Sequence, residues 1–211
     1  EFNNPEFEHY KTLYREAYDL VKSISPNTQV GVSMLDVLFV GYRQFSVINE
    51  LGPVDFVGFT TYPAKLIKSG LLGEVNNLSE FPRDWYQVAR IVFPDTPILY
   101  TEIGWSSKQI SDEQEQAAFV AALPWIFENV KPELVTWTLL HDSQFFQIDN
   151  LDQETLDRLA ELGVDPNELF NRFNGMGLYT LEGVPKPAVN PAINLDFDNP
   201  VVPDYAITLI P

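Results

Sequence analysis

The chain has 211 residues and carries 13 Lys and Arg against 30 Asp and Glu, which gives a formal net charge of −17. This charge argues against nucleic acid and anionic membrane surfaces as partners and favours a neutral ligand. With 45% hydrophobic residues and no cysteine, the chain can bury one sizeable core, whereas disulfides, thiolate metal sites and a cysteine nucleophile are excluded. No apolar run reaches the roughly 18 residues that would predict a membrane-spanning helix.

The amino-terminal part of the chain has the pattern of an amphipathic helix. Apolar residues recur at steps of three and four from Phe7 to Ile24, which describes one helix face. Asn4 suits the N-cap and Pro5 suits the first helical position. Ser25–Asn27 is expected to end this helix.

Strands and helices are predicted to alternate through the middle of the chain. Continuous apolar runs, typical of strands buried on both faces of a parallel sheet, occupy Gln29–Met34, Val54–Thr61, Pro97–Glu102 and Leu134–Leu140. Helices are predicted over Val37–Leu51, within Pro82–Val92, and from Ser111, where Gln114 completes a capping box. This order is typical of either a doubly wound sheet or part of a (βα)8 barrel.

A long segment, Ser143–Asn174, follows the last predicted strand. It contains a predicted amphipathic helix, Gln153–Leu162, which ends at Gly163. Long loops in compact domains are often functional. We therefore expect this segment to form one wall of a cleft rather than a layer of the core.

Candidate catalytic residues lie where the predicted strands end, because functional groups of parallel α/β proteins gather at the carboxyl ends of strands. Glu102 ends an apolar strand, where a carboxylate is costly unless it is paired or functional; a strand-end salt bridge or a loop cap is the alternative. Tyr62 and Trp137 lie at or near the ends of other strands. Aromatic rings beside a carboxylate are typical of carbohydrate sites, although each ring alone is also explained by core packing.

Several segments resemble the clan A glycoside hydrolases. TEIGWSS (Thr101–Ser107) resembles their seventh-strand motif, in which the Glu is the nucleophile, and VDFVGFTTYP (Val54–Pro63) resembles their sixth strand. LVTWTLLHD (Leu134–Asp142) resembles the eighth strand, and GMGLYTLEGVPKPA (Gly175–Ala188) resembles the segment that leads into the last helix. Over about residues 1–195 the chain resembles arabinogalactan endo-β-1,4-galactanase-like proteins. TEIGW is also similar to plant-type β-1,3-glucanases.

This resemblance implies a (βα)8 TIM barrel of which the chain covers strands five to eight with their helices. Residues 1–197 would be the carboxyl-terminal half-barrel, with 143–174 as the loop after the last strand, and residues 198–211 would be a tail. The missing amino-terminal half would then be a partner of this chain, and the isolated chain would be inactive. An extracellular or periplasmic location is expected, with any signal peptide in the missing part.

The resemblance also implies catalytic roles. Glu102 would be the nucleophile, oriented by a hydrogen bond from Tyr62. Glu1 stands just before the first helix, where the clan has its acid/base Glu, although the Gly-Asn that precedes that residue in the clan is not in this sequence. An arbitrary chain start is the alternative explanation of Glu1.

Substrate-binding residues follow from the same comparison. Trp137 and Trp105 would form walls that face the sugar, with loop packing as the alternative for Trp105. His141 and Asp142 would lie at the substrate rim or have a structural role.

The function predicted from the sequence is that of a retaining glycoside hydrolase acting on β-linked neutral polysaccharide or oligosaccharide. Such an enzyme needs two carboxyl groups about 5–5.5 Å apart, one ionised to attack and one protonated to act as acid. A catalytically inactive carbohydrate-binding or scaffold barrel and an unrelated doubly wound α/β domain are the alternatives. No metal or cofactor is predicted, since nucleotide-binding motifs and the nucleophile elbow are missing and Asp149, Asp152 and Glu154 lack the spacing of an EF-hand.

Overall fold

The computed structural model describes residues 5–36, 46–63, 78–108, 111–161 and 163–208. The helices are α1 (Pro5–Ile24), α2 (Ser46–Leu51), α3 (Gln87–Val92), α4 (Glu113–Ile126), α5 (Gln153–Glu161), α6 (Pro166–Asn174), α7 (Val189–Ile193) and α8 (Asp204–Ile207). The strands are β1 (Gly31–Leu35), β2 (Phe56–Thr61), β3 (Ile98–Ile103), β4 (Leu134–Trp137), β5 (Leu139–His141) and β6 (Gly177–Tyr179). None of the helices in these ranges is long and apolar enough to cross a membrane.

The predicted alternation of strands and helices is confirmed within the described ranges. The helix predicted from Pro5 to Ile24 is observed with those limits. Its proposed N-cap, Asn4, and residues 37–45 of the second predicted helix lie outside the described residues.

The four long strands form one parallel sheet in the order β1-β2-β3-β4. The order in space follows the order in the chain, so every described crossover proceeds in the same direction across the sheet. In a doubly wound sheet the order reverses at a switch point. The doubly wound alternative is therefore wrong for this sheet.

The two faces of the sheet differ in character. One face is buried against α4 and the segment before α3 through Val57, Phe59, Ile98 and Tyr100. The other, which we call the open face, carries polar side chains beside apolar ones: Ser33 and Thr101 join their hydroxyls at 2.7 Å across Gly58. The open face is therefore the side of the sheet on which polar functional groups are accessible.

The N-cap of helix α4 lies one residue later than predicted. Asp112, not Ser111, is the N-cap, and its Oδ1 accepts hydrogen bonds from the backbone of Gln114 at 2.8 Å and of Glu115 at 2.9 Å. The Ser111 hydroxyl instead accepts a hydrogen bond from Trp105 Nε1 at 2.8 Å. The predicted capping box is wrong because aspartate offers the same acceptor one position nearer to the helix.

The last predicted strand divides in two at Thr138. Its first part is β4 of the main sheet, and its second part, β5, pairs with β6 in a separate parallel sheet. Gly177 makes this pairing possible, because a Cβ there would lie 2.0 Å from the backbone nitrogen of Asp142. The sequence did not predict β6, since it lies in a stretch rich in Pro, Gly and Asn.

The long segment after β5 contains more structure than the sequence predicted. The predicted helix is observed as α5, and a second helix, α6, follows it. Asp165 caps α6 by accepting a hydrogen bond from the backbone of Asn167, and Pro166 stands in its first turn. Asp followed by Pro is a helix-start signal, so the start of α6 could have been predicted from the sequence.

Candidate active site

A β-bulge in β3 determines which way Glu102 points. Phe59 of β2 pairs with Tyr100, but the next residue, Thr60, pairs with Glu102, so Thr101 is an additional residue in β3. In a regular strand Glu102 would lie on the buried face with Tyr100, two residues before it. The bulge moves Glu102 to the open face, where its side chain is exposed.

Glu102 meets Tyr62 at the carboxyl edge of the sheet. Tyr62 directly follows β2, and its Oη donates a hydrogen bond to Glu102 Oε2. Burial, and then the neighbouring carboxylate, raise the pKa of Tyr62 above its ordinary value of 10.0. The phenol therefore remains protonated at neutral pH and acts as a neutral donor that orients the carboxylate.

Tyr62 is itself held in place from two directions. The ring of Phe173, from α6, makes an edge contact with it at a centroid distance of 5.0 Å and an interplanar angle of 72°. Gly104 lies close on another side, because a Cβ there would be 3.2 Å from Tyr62 Cδ1 and 2.8 Å from Met176 Sδ. The backbone of Gly104 also donates to Thr61 O at 3.2 Å, which ties the ends of β2 and β3 together.

A buried carboxylate supports the end of β2 from the other face of the sheet. Asp36 follows β1, is only 5% exposed, and accepts hydrogen bonds from Thr61 Oγ1 at 2.6 Å and from Trp85 Nε1 at 2.7 Å. Thr61 immediately precedes Tyr62, so Asp36 fixes the backbone from which Tyr62 projects. Asp36 was not predicted, although its position directly after an apolar strand was a signal in the sequence.

Trp105 does not face the open side of the sheet. Its side chain is 0% exposed, and its ring stacks on Phe119 of α4 at a centroid distance of 4.9 Å. The predicted sugar-facing role is therefore wrong, and the alternative, packing of the loop after β3, describes this residue.

Trp137 also lies on the helix side of the sheet. It pairs with Ile103, a fully buried residue of β3, and its ring packs at 6.4 Å from that of Phe119. Its Nε1 donates to Met176 O at 2.8 Å. Trp137 is only partly buried, and its predicted role as a sugar-facing wall stays a prediction.

Asp142 is committed to a buried ion pair. Its Oδ1 accepts from Lys186 Nζ at 2.6 Å and from the backbone of Gly177 at 3.0 Å, and its Oδ2 lies 3.6 Å from Lys108 Nζ. Lys186 also donates to Ser107 Oγ at 2.8 Å. Of the two roles expected for Asp142, the structural one is observed, since its oxygens hold the loop after β3 to the segment around β6.

Of the two remaining predicted site residues, the structure describes His141 but not Glu1. His141 is exposed, and its ring stacks on Tyr179 at a centroid distance of 5.3 Å; its place at a substrate rim stays a prediction. Glu1 lies outside the described residues. No group of three or more potential metal ligands occurs in the ranges that the structure describes.

Comparison with known proteins relates this chain to glycoside hydrolases by fold. No family model and no curated protein sequence matches it. A GH2 β-galacturonidase from Eisenbergiella tayi bound to galacturonate is similar, with a TM-score of 0.54 and 16% identity over 90% of this chain and 31% of the other. The catalytic core of xylanase A is similar with a TM-score of 0.51 and 15% identity, over 89% of this chain and 54% of the other.

The chain thus spans about a third of the first of these proteins and about half of the second. Identities this low relate folds and carry no information about substrates. The chain has an α/β fold with a parallel sheet, and both of these solved structures are of glycoside hydrolases.

Proposed function

We propose that this chain carries the nucleophile of a retaining glycoside hydrolase that acts on β-linked neutral polysaccharide or oligosaccharide. The hydrogen bond from Tyr62 to Glu102, on the open face at the carboxyl edge of the sheet, is the observation that carries the proposal. It combines an exposed carboxylate with a neutral donor that fixes its direction. The glycoside hydrolases among the structural neighbours support the same reaction class.

In this mechanism Glu102 attacks the anomeric carbon while an acid protonates the departing glycosidic oxygen. The Tyr62 hydroxyl holds the attacking oxygens in one orientation during this step. Water then releases the glycosyl group from Glu102, so that the product keeps the configuration of the substrate. We assign the acid to Glu1, from its place in the clan A pattern.

For the whole protein we propose a (βα)8 barrel in which this chain supplies strands five to eight. The sequential order of the parallel strands and the polar groups on the open face are compatible with a sheet that continues into further strands. We call the protein with the closed barrel the complete enzyme. Its location is proposed to be extracellular or periplasmic.

We propose a neutral substrate because the chain itself carries a large negative charge. A net charge of −17 disfavours polyanionic glycans. The structural neighbour bound to galacturonate holds a sugar acid, and we propose that this chain differs from it in that respect.

The test is hydrolysis of galactan, β-glucan and mannan by the complete enzyme, with the anomer of the first product followed by NMR. Release of the β-anomer from one of these substrates is the expected result. Initial release of the α-anomer would reject the retaining mechanism. Binding without any hydrolysis would identify the protein as the inactive carbohydrate-binding barrel instead.

A further inference from the structure

A cavity of about 380 Å³, open to solvent, lies on the long segment after β5, between α6 and the chain that follows β5. It is distinct from the groups around Glu102. Its lining is mostly carboxamide side chains, namely Gln144, Gln147, Asn167, Asn171 and Asn174. Carboxamides donate and accept hydrogen bonds without carrying charge, so this lining suits a polar, uncharged ligand.

One face of α6 supplies much of this lining. Asn167, Phe170, Asn171 and Asn174 are spaced at three and four residues, so they project from the same side of the helix. The carboxamides of Asn167 and Asn171 are exposed and form no hydrogen bond with the part of the chain that the structure describes. Each offers a free donor and a free acceptor to a ligand.

Aromatic rings complete the cavity. Phe146 and Phe170 both line it, with ring centroids 6.2 Å apart, and Phe146 is 37% exposed. Apolar faces beside free carboxamides match the chemistry of a pyranose, which presents C–H groups on its faces and hydroxyls at its edge. A single carboxylate, Asp149, lies in the lining, and it would repel an anionic sugar.

The cavity is connected to the candidate active site through rings. Phe146 packs against Phe173 at a centroid distance of 5.2 Å, and Phe173 contacts Tyr62 at 5.0 Å. Phe173 therefore contacts both a ring of the cavity lining and the residue that hydrogen-bonds to Glu102.

We infer that this cavity is a second sugar-binding subsite, which holds a neutral sugar unit of a β-linked chain while Glu102 acts on another part of the same chain. The choice of ligand rests on the proposed function; the existence of a binding site rests on the lining of the cavity. In this subsite Asn167 and Asn171 form hydrogen bonds with the sugar hydroxyls, and Phe146 and Phe170 lie against the face of the sugar ring.

The experiment uses the complete enzyme carrying Glu102→Gln, so that bound oligosaccharides are not consumed. Calorimetry measures the dissociation constants of tetrasaccharides from galactan, β-glucan and mannan, and of tetragalacturonate. Asn167→Ala and Asn171→Ala are compared with Gln153→Ala, which removes a carboxamide from the exposed surface of α5. Because Asn167 and Asn171 are exposed, their replacement should leave the fold intact. The circular dichroism spectra of all variants are therefore expected to be the same.

At least one neutral tetrasaccharide is expected to bind, with the dissociation constant raised about 5- to 10-fold by each asparagine variant and unchanged by Gln153→Ala. Tetragalacturonate is expected not to bind. Unchanged affinity in both asparagine variants, or no binding of any neutral sugar, overturns the inference, as does tighter binding of tetragalacturonate.

These outcomes are independent of catalysis. Hydrolysis by the parent enzyme together with unchanged binding in the asparagine variants would reject the subsite alone. Loss of binding in those variants, with no hydrolysis by the parent, would reject the proposed function and leave the subsite standing.

Discussion

The phenol of Tyr62 and the carboxylate of Glu102 meet between the ends of two neighbouring parallel strands. The contact exists because the bulge at Thr101 turns Glu102 towards the open face, while Gly104 leaves the room that the ring of Tyr62 occupies. Tyr62 is in turn fixed by Phe173 from the long segment after β5. That segment therefore supports the candidate nucleophile in addition to lining a cavity.

Replacing Glu102 by Gln removes the attacking charge and keeps the shape of the side chain. If Glu102 is the nucleophile, kcat of the complete enzyme falls by at least about four orders of magnitude, with little change in substrate affinity. Initial rates and calorimetric binding measure the two effects. Glu133→Gln, at the opposite edge of the same sheet, is the control and is expected to keep the parent rate. A decrease of less than tenfold in Glu102→Gln would contradict the assignment.

A smaller side chain at the same position tests the direction of attack. In Glu102→Gly, azide can enter the vacated space and attack an activated aryl β-glycoside from the side of the lost carboxylate. The expected product is an α-glycosyl azide, of inverted configuration, identified by NMR. Glu133→Gly controls for non-specific effects of azide. Formation of a β-glycosyl azide would show that Glu102 is not on the attacking side.

The Tyr62→Phe variant removes the hydrogen bond to Glu102 and keeps the ring against Phe173. A hydrogen bond to a charged group contributes about 1.5–3 kcal/mol, so kcat should fall by roughly 10- to 100-fold. KM should change little, because the lost interaction holds the attacking group and not the substrate. Tyr205→Phe, on the exposed surface of α8, is the control. An effect confined to KM would instead place Tyr62 in substrate binding.

The positions of the strand ends were predictable from sequence, whereas the faces of the strands were not. Continuous apolar runs and the TEIGW motif located Glu102 at the end of a strand. The bulge that turns it outward depends on the register between β2 and β3, which no local pattern encodes. The side of the sheet on which Trp137 lies is likewise set by strand register, through its pairing with Ile103.

Other features were missed although their signals were present. The sequence Asp165-Pro166 and the spacing of the asparagines from Asn167 to Asn174 predict a helix with a polar face. Trp105 was ambiguous for a different reason. An aromatic residue after a strand fits both a sugar site and a core, and the neighbouring apolar helix that buries it is only brought close by the tertiary fold.

Buried tyrosines should make the protein sensitive to alkaline pH. Burial, followed by the neighbouring Tyr86, raises the pKa of Tyr100 well above its ordinary value of 10.0. Above pH 10 the unfolded chain releases this proton while the folded protein keeps it, so the free energy of unfolding falls as pH rises and is fully retained below pH 10. Urea unfolding from pH 9 to 11.5 measures the slope.

The Tyr100→Phe variant should reduce that slope by up to about 1.4 kcal/mol per pH unit, because the ring remains and the titrating hydroxyl is removed. Tyr205→Phe is the matched control for loss of a hydroxyl at an exposed position. Equal slopes in the parent and in Tyr100→Phe would show that this phenol does not remain protonated in the folded state.

The ion pair between Asp142 and Lys186 should be far more important for stability than an exposed pair. Both side chains are buried, and the lysine ties together Asp142, the hydroxyl of Ser107 and the carbonyl of Gly175. Asp142→Asn leaves the ammonium group without its anionic partner in a buried position, which costs about 3–5 kcal/mol. The expected result is a decrease of that size in the free energy of unfolding, measured with urea at pH 7. Glu8→Gln, which removes the ion pair between the exposed Glu8 carboxylate and Lys11, is the control and should cost less than about 1 kcal/mol. If the two variants lose similar free energy of unfolding, the remaining hydrogen bonds of Lys186 are sufficient to stabilise its buried charge. The ion pair would then not be what holds the loop after β3 to the β5–β6 sheet.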